Sequence, residues 1–239
     1  MRKNASEVGL RVMSGFAVRR AFEAGILADY QQRSGHSVHI EWAPTTVIAA
    51  KVAAGEHADI LLITREAMDE MERSGIVDLS SRVEVATSRL GLAVARGAPH
   101  PEIGSIDAFK AALTAARSVA FSNAGASGAV FAALIEHLGI ADAVRSRATL
   151  IPTGLTAETL VTGEADLAVQ QISELLMVDG IEVVGPFPEL GQTVLSFSAA
   201  LTTAASNVEA AAGFLRFLQG DESRARLAAS GLDPIEPGP

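Results

Sequence analysis

The 239-residue sequence contains no cysteine, which excludes disulfides, thiolate zinc sites and a cysteine nucleophile and leaves the compartment open. No apolar run reaches the roughly 18 residues that a membrane-spanning helix needs, so membrane insertion is not expected. The basic start, MRKNASEVGLRVMSGF, has no apolar h-region ahead of the first strand-like run, LRVMS. As it stands the sequence reads as cytoplasmic, or as periplasmic with a leader already removed. Positive charge is also scarce: 19 Lys and Arg against 28 Asp and Glu give a net charge of −9. That field repels nucleic acid and acidic membranes. An anion that binds this chain must therefore be held locally, against the overall charge.

Apolar residues make up 49% of the sequence, enough for a packed globular protein. Short β-branched runs alternate with stretches of helical period, the pattern of βα units around mostly parallel sheets, and thus of an α/β fold. Strands are expected near Leu10–Ser14, Val38–Trp42, Asp59–Ile63, Leu90–Ala95, Ser118–Ser122, Asp166–Gln170 and Ile181–Val184. Helices are expected near Ala17–Ser34, Thr46–Ala54, Arg65–Ser74, Ile106–Ala115, Gly128–Leu138, Thr156–Thr162, Asn207–Leu218 and Glu222–Ser230. Gly35, Gly55, Gly75, Gly139 and Gly220 each follow a helical run, where a left-handed C-cap residue belongs.

The stretch SNAGASGAVFAALIEHLG, residues 122–139, places a small polar turn between a strand and a helix. Its GASGA core lacks the second glycine of the G-x-S-x-G nucleophile elbow, and no marked triad partner accompanies it. No lysine follows the glycines, and they do not form G-x-G-x-x-G, so phosphate-loop and dinucleotide readings fail. Two readings of Ser127 stay open: a helix cap, or a donor to an anion held at the helix N-terminus. The same device recurs at Ser14 and Gly15 in MSGFAVRRAF and at Thr45 and Thr46 in WAPTTVIAAKVAAG. Helix N-termini at the carboxyl ends of strands point to a crevice where open α/β sheets bind ligands. His36 and His39, three apart on an extended segment, point to opposite faces, so no metal site is expected.

The runs LRVMSGFAVRRAFEAGILADYQQRSGHSV, EWAPTTVIAAKVAAGEHADILLITREAMDEMERSGIV, SRLGLAVARGAP, GEADLAVQQISELLMVDGIEVVGPFPEL and FLRFLQGDESRARLAASGL together resemble the molybdate-binding-protein branch of the type II periplasmic solute-binding proteins. The resemblance covers nearly the whole chain, and AAGEHADILLIT is its most specific segment. It implies lobe one at residues 1–87 plus 198–239 and lobe two at 88–197, closing by a hinge on a ligand in the cleft between lobes. The family's oxyanion donors fall on Phe16 or Ala17, Thr45 or Thr46, Ser127 and Gly154, with a tyrosine falling on Gln171. No cofactor is implied; the chain would be a monomer, served by an ABC permease if exported.

Phe16 and Ala17 replace the first serine pair and Gln171 replaces the tyrosine, so a small organic carboxylate is favoured over molybdate. Arg65, where the molybdate binders tend to carry an acidic residue, is placed to pair with a carboxylate, or else with Asp69 one helical turn on. The leading expectation is a non-catalytic solute-binding protein. The alternative is an enzyme similar to a neighbouring group, aconitate isomerase, which moves an allylic proton within a tricarboxylate. That chemistry needs a general base with a pKa near 7, and Glu174 in QQISEL and His57 in GEHADI are candidates. Each also has an ordinary structural reading, as a residue opening a helical turn and one leading into a strand.

Overall fold

The computed structural model describes residues 9–189 and 194–236, which divide into two compact units. Unit 1 comprises residues up to Thr87 and those from Ser196 onward; unit 2 comprises Ser88–Leu195. In unit 1 the strands β1 (Leu10–Ser14), β2 (Val38–Trp42) and β3 (Ile60–Thr64) run parallel, with β1 central. Strand β9 (Val194–Leu201) joins β3 antiparallel, pairing Thr64 with Phe197. Strand β10 (Asp233–Pro234) pairs antiparallel with the start of β4 (Val83–Ala95). In unit 2, β5 (Val119–Ser122) lies parallel to β6 (Ala148–Ile151) and β7 (Leu167–Gln171). The rest of β4 runs antiparallel to β7 and to β8 (Ile181–Pro186). Each unit thus has a parallel core, and the antiparallel additions make the sheet mixed.

The parallel strands force crossover connections, and helices supply them. In unit 1 these are α1 (Arg19–Ala21) and α2 (Leu27–Ser34), α3 (Thr45–Ala53) and α4 (Arg65–Arg73), with α10 (Val208–Leu218) and α11 (Asp221–Ala229) closing the chain. Unit 2 carries α5 (Ile106–Ala115), α6 (Ala126–His137), α7 (Ala141–Arg145), α8 (Glu158–Val161) and α9 (Ile172–Leu175). One face of unit 1 buries Met13, Ile48, Leu61, Ile63 and Met68 together. Phe22 meets Trp42 and Phe214 edge-on at 5.9 and 6.1 Å in the same unit. In unit 2, Phe109 packs on Phe187 and Phe121 on Phe131.

Several sequence expectations are corrected. The helix expected over Ala17–Ser34 is a 3₁₀ turn, a short α segment, a π-turn over Phe22–Ile26 and then α2. Gly25 has φ 149° inside the π-turn, and a Cβ there would sit 2.4 Å from the guanidinium of Arg226. That guanidinium donates to the Ala24 carbonyl and pairs with Asp29, so the helix opens to admit a cation from α11. Gly220 is not a left-handed C-cap: its φ is −73° and it precedes α11 as N-cap. Strands β6 and β9 and helices α7 and α9 have no counterpart among the elements expected.

The turn from β5 into α6 depends on Gly128. A Cβ at that position would lie 1.7 Å from the Ser122 carbonyl oxygen, a contact only glycine avoids. Gly128→Ala should therefore cost about 3 kcal/mol or more of stability. Urea denaturation of the two chains checks this; equal midpoints would contradict the close approach.

Candidate functional site

In each unit the parallel strands end at turns that start helices, and the residues singled out from sequence, His57 excepted, lie at or just after those ends. In unit 1, Ser14 ends β1 and is fully buried, but its hydroxyl donates to the carbonyl of Gly15 at 3.1 Å. Gly15 leads into the 3₁₀ turn that begins with half-buried Phe16 and buried Ala17. A Cβ on Gly15 would stand 3.7 Å from both the Phe197 ring and the Thr45 hydroxyl, so those three residues share one corner. Thr45 is the buried first residue of α3 and Thr46 the exposed second. The N-cap of α3 is Pro44, whose side chain accepts nothing, so the helix's positive end keeps no side-chain cap.

Arg65 is not paired with Asp69 as one reading expected. Its guanidinium reaches Glu84 at 2.9 Å. Glu84 also takes the Ser198 hydroxyl, at 3.1 Å from each carboxylate oxygen, and Arg82 Nε at 3.2 Å. Arg82, with a side chain only 14% exposed, holds Asp69 at 2.5 Å and Glu72 at 3.5 Å. No local motif marks this hub, because its members come from α4, the residue ahead of β4, β4 itself and β9. The Arg65 guanidinium already has a carboxylate partner, Glu84, within its own unit.

In unit 2, Ser122 ends β5 and its hydroxyl accepts the N–H groups of Ala124 and Gly125 at 3.2 and 2.8 Å. The cap reading of Ser127 is corrected by this geometry: Gly125 is the N-cap, and Ser127 is the buried second residue of α6. Gly154 follows β6 with φ 95°. Its carbonyl accepts the side-chain amide of Gln170 at 3.3 Å, while Gln170 Oε1 accepts the Thr156 N–H at 2.8 Å and hydroxyl at 3.0 Å.

The end of β7 is chemically unusual. Gln171 is the N-cap of α9 and Glu174 its third residue, the spacing of a capping box. Glu174 accepts from the Gln171 backbone, and the side chains of Gln171 and Gln170 also favour its ionised form. Burial outweighs them: the residue is 5% exposed, and its pKa is pushed up to about 7. Glu174 Oε2, Gln171 Oε1, Ser173 Oγ and Ser88 Oγ are buried and make no hydrogen bond with the described residues. Buried polar atoms left unsatisfied cost about 1–3 kcal/mol each. Ser88 and Ser173 escaped the sequence reading because serines mid-strand or in a short helix carry no local motif.

His57 lies at the other end of the strands, before β3. Its Nε2 stands 2.7 Å from the Ala204 carbonyl and 3.2 Å from the Ser206 hydroxyl, a role in fastening loops. It is therefore set aside as the base. Among the described residues no group of three His, Cys, Asp or Glu could hold a metal ion, and no helix is long and apolar enough to cross a membrane.

Parallel strands ending at uncapped helix starts, in two units that the chain enters and leaves through β4 and β9, define the type II periplasmic binding-protein fold. The chain belongs to the bacterial extracellular solute-binding proteins, whose family model matches residues 10–233. A Pseudomonas aconitate isomerase is 32% identical over 215 residues, covering 88% of this chain and 82% of that protein. The periplasmic molybdate-binding protein of Azotobacter vinelandii has a similar fold, with TM-score 0.78, 17% identity, and 96% of this chain and 100% of that chain covered. A sulfate-binding protein of Mycobacterium tuberculosis gives TM-score 0.76 at 17% identity, covering 96% of this chain and 88% of that one.

The raised pKa of Glu174 has a consequence for stability. A carboxyl whose folded pKa lies above its unfolded value binds more protons when folded, so its penalty is absent at low pH and appears as pH rises from about 4.5 to about 7. The full difference is on the order of 3 kcal/mol. Glu174→Gln should therefore match the parent in stability near pH 4.5 and exceed it by roughly 3 kcal/mol near pH 8. Urea midpoints at the two pH values test this, and a difference independent of pH would contradict it.

Proposed function

We propose that this chain binds a small unsaturated di- or tricarboxylate and moves an allylic proton on it, with Glu174 as the proton carrier. The observation that carries the reading is the buried Glu174 carboxyl, poised at about 7 with Oε2 unengaged. Such a group is partly ionised at neutral pH, so it can take a proton and return it. The relationship to a Pseudomonas aconitate isomerase at 32% identity supports the substrate class.

The step balances without a cofactor. Glu174 as carboxylate would remove the proton of a methylene next to the double bond. The electron pair left behind spreads over the allylic system and its carboxylate, and the double bond moves one position. Glu174 as carboxylic acid then delivers the proton to the far end of that system. No electrons are gained or lost, and the enzyme ends as it began. The developing negative charge calls for donors already aimed at it, and in the unit that carries Glu174 the start of α6, whose N-cap makes no side-chain hydrogen bond, supplies backbone N–H groups. Within unit 2, a carboxylate would be held by Ser127 and Gln171 with the backbone of Gly154; within unit 1, Thr45 and Thr46 with the backbone of Gly15 are suited to the same kind of group. Arg65 is left out of that set because one arm of its guanidinium already pairs with Glu84.

A second reading is binding without chemistry, as in a solute receptor that hands an anion to a permease. It is favoured by the starts of α3 and α6, each with an N-cap that makes no side-chain hydrogen bond, a device suited to an anion whether or not a proton moves. Incubation with cis- or trans-aconitate, followed by proton NMR, separates the two. The first reading predicts conversion of one isomer into the other, a fall of at least about 10²-fold in Glu174→Gln, and unimpaired binding by that variant. A thermal shift with aconitate recovered unchanged would establish the second. No shift with aconitate, citrate or short dicarboxylates, but one with molybdate or sulfate, would overturn the carboxylate assignment.

A further inference from the structure

Away from the strand ends, α2 and α10 of unit 1 frame a groove of about 600 Å³. It lies toward the starts of the strands: His36, on its wall, precedes β2, and α10 follows β9, whose last residue, Leu201, pairs with Ile60 at the start of β3. The floor is aromatic. The Tyr30 ring meets those of Phe214 and Phe217 at 4.8 and 5.4 Å, and its hydroxyl donates to the Ala210 carbonyl at 2.9 Å. Phe217, which lines the groove, is only half-buried. Along α10, Glu209, Gly213 and Arg216 are spaced by four and three residues and share one helical face. The fold does not require the glycine. Its backbone is ordinary helix, and a Cβ there would stand 3.6 Å from the Tyr30 hydroxyl and 3.9 Å from the Arg216 guanidinium, both normal contacts. Glycine also weakens a helix interior relative to alanine. What Gly213 provides is an open gap between an aromatic side chain and a guanidinium.

That guanidinium is spare. Among the described residues Arg216 has no ion pair and no side-chain hydrogen bond. The other arginine of the groove, Arg33, is paired with Glu222 and holds its guanidinium 5.6 Å from the centre of the Phe217 ring. Glu209 stands about 10 Å back along the helix axis from Arg216, too far to neutralise it. We propose that this groove is a second ligand site, built for a small aromatic carboxylate. The carboxylate pairs with the Arg216 fork, whose planar geometry matches it. The ring lies in the Gly213 gap, against Tyr30 and Phe217, where an apolar body leaves water. Glu209 repels the carboxylate from the far end and so sets the orientation of the ligand. His36, also on the wall, adds positive charge when protonated. In a chain of net charge −9, this is a local exception of the kind an anion needs. The site is independent of Glu174 and of any proton transfer.

Isothermal titration of the whole chain with sodium benzoate, at constant ionic strength, tests the site. The parent should bind benzoate at least about tenfold more tightly than acetate, which carries the charge without the ring. Arg216→Gln should weaken benzoate by about tenfold or more, and Gly213→Leu, which fills the gap, should do the same. Ser127→Ala, at the start of α6, should leave benzoate affinity as it is. In nitrogen–proton correlation spectra, benzoate should move the amide signals of Gly213 and Phe217. Three results would each overturn the proposal: no benzoate binding by the parent, the parent's affinity in folded Arg216→Gln, or binding lost in Ser127→Ala and kept in Arg216→Gln. Should Gly213→Leu not fold, Arg216→Gln decides, because its exposed side chain holds nothing in place among the described residues.

Discussion

A carboxyl group kept out of water at the end of β7 is the constraint around which the functional account turns. Withdrawing a carboxylate from water is costly, and proteins usually meet that cost with a cation or by protonation. Among the described residues no cation acts on the Glu174 titration; amides and a backbone group soften the penalty without removing it. The result is an acid that changes protonation near neutrality, in a segment where Gln171, Ser173 and Ser88 also hold buried polar atoms without partners. A fold selected for stability alone would have little use for this concentration, because replacing such groups by apolar ones of similar shape is often neutral or stabilising.

Unit 1 handles its charges in the opposite way. Arg82 gathers Asp69, Glu72 and Glu84, and Glu84 in turn engages Arg65 and Ser198. Every member has a partner, so the network fastens α4 to β4 and β9 and leaves little unsatisfied. The strand ends of unit 1 present instead the start of α3, with no side-chain bond to its N-cap, beside Gly15 and the Phe197 ring. Both units thus present a helix start whose N-cap makes no side-chain hydrogen bond, and unit 2 adds a buried titratable side chain.

The sequence made some of this legible and concealed the rest for identifiable reasons. Strands β1 and β2 stand at the expected residues because short β-branched runs between polar turns carry a clear period. Strand β6 went unread because its four residues, ATLI, are too few to show one. The π-turn at Gly25 was hidden because the apolar spacing continues through it; only the approach of Arg226, 201 residues later in the chain as numbered, reveals why the helix opens. Ser127 was weighed as a cap because serine before a helix usually is one, whereas Gly125 takes that place and Ser122 caps the turn. The resemblance to the solute-binding family was legible in the strand-to-helix turns and in AAGEHADILLIT, and the match over residues 10–233 places the chain there. Glu174 was visible only as one of two candidate bases, since its burial is made by elements distant in sequence.

The most direct test of the central claim is an infrared difference titration between about pH 5 and about pH 9, following the stretch of a protonated carboxyl in the parent and in Glu174→Gln. The account predicts a band that disappears with a midpoint near 7 in the parent and is missing from the variant. A carboxyl band lost entirely in the ordinary carboxylate range, with no difference between the two proteins at neutral pH, would contradict it.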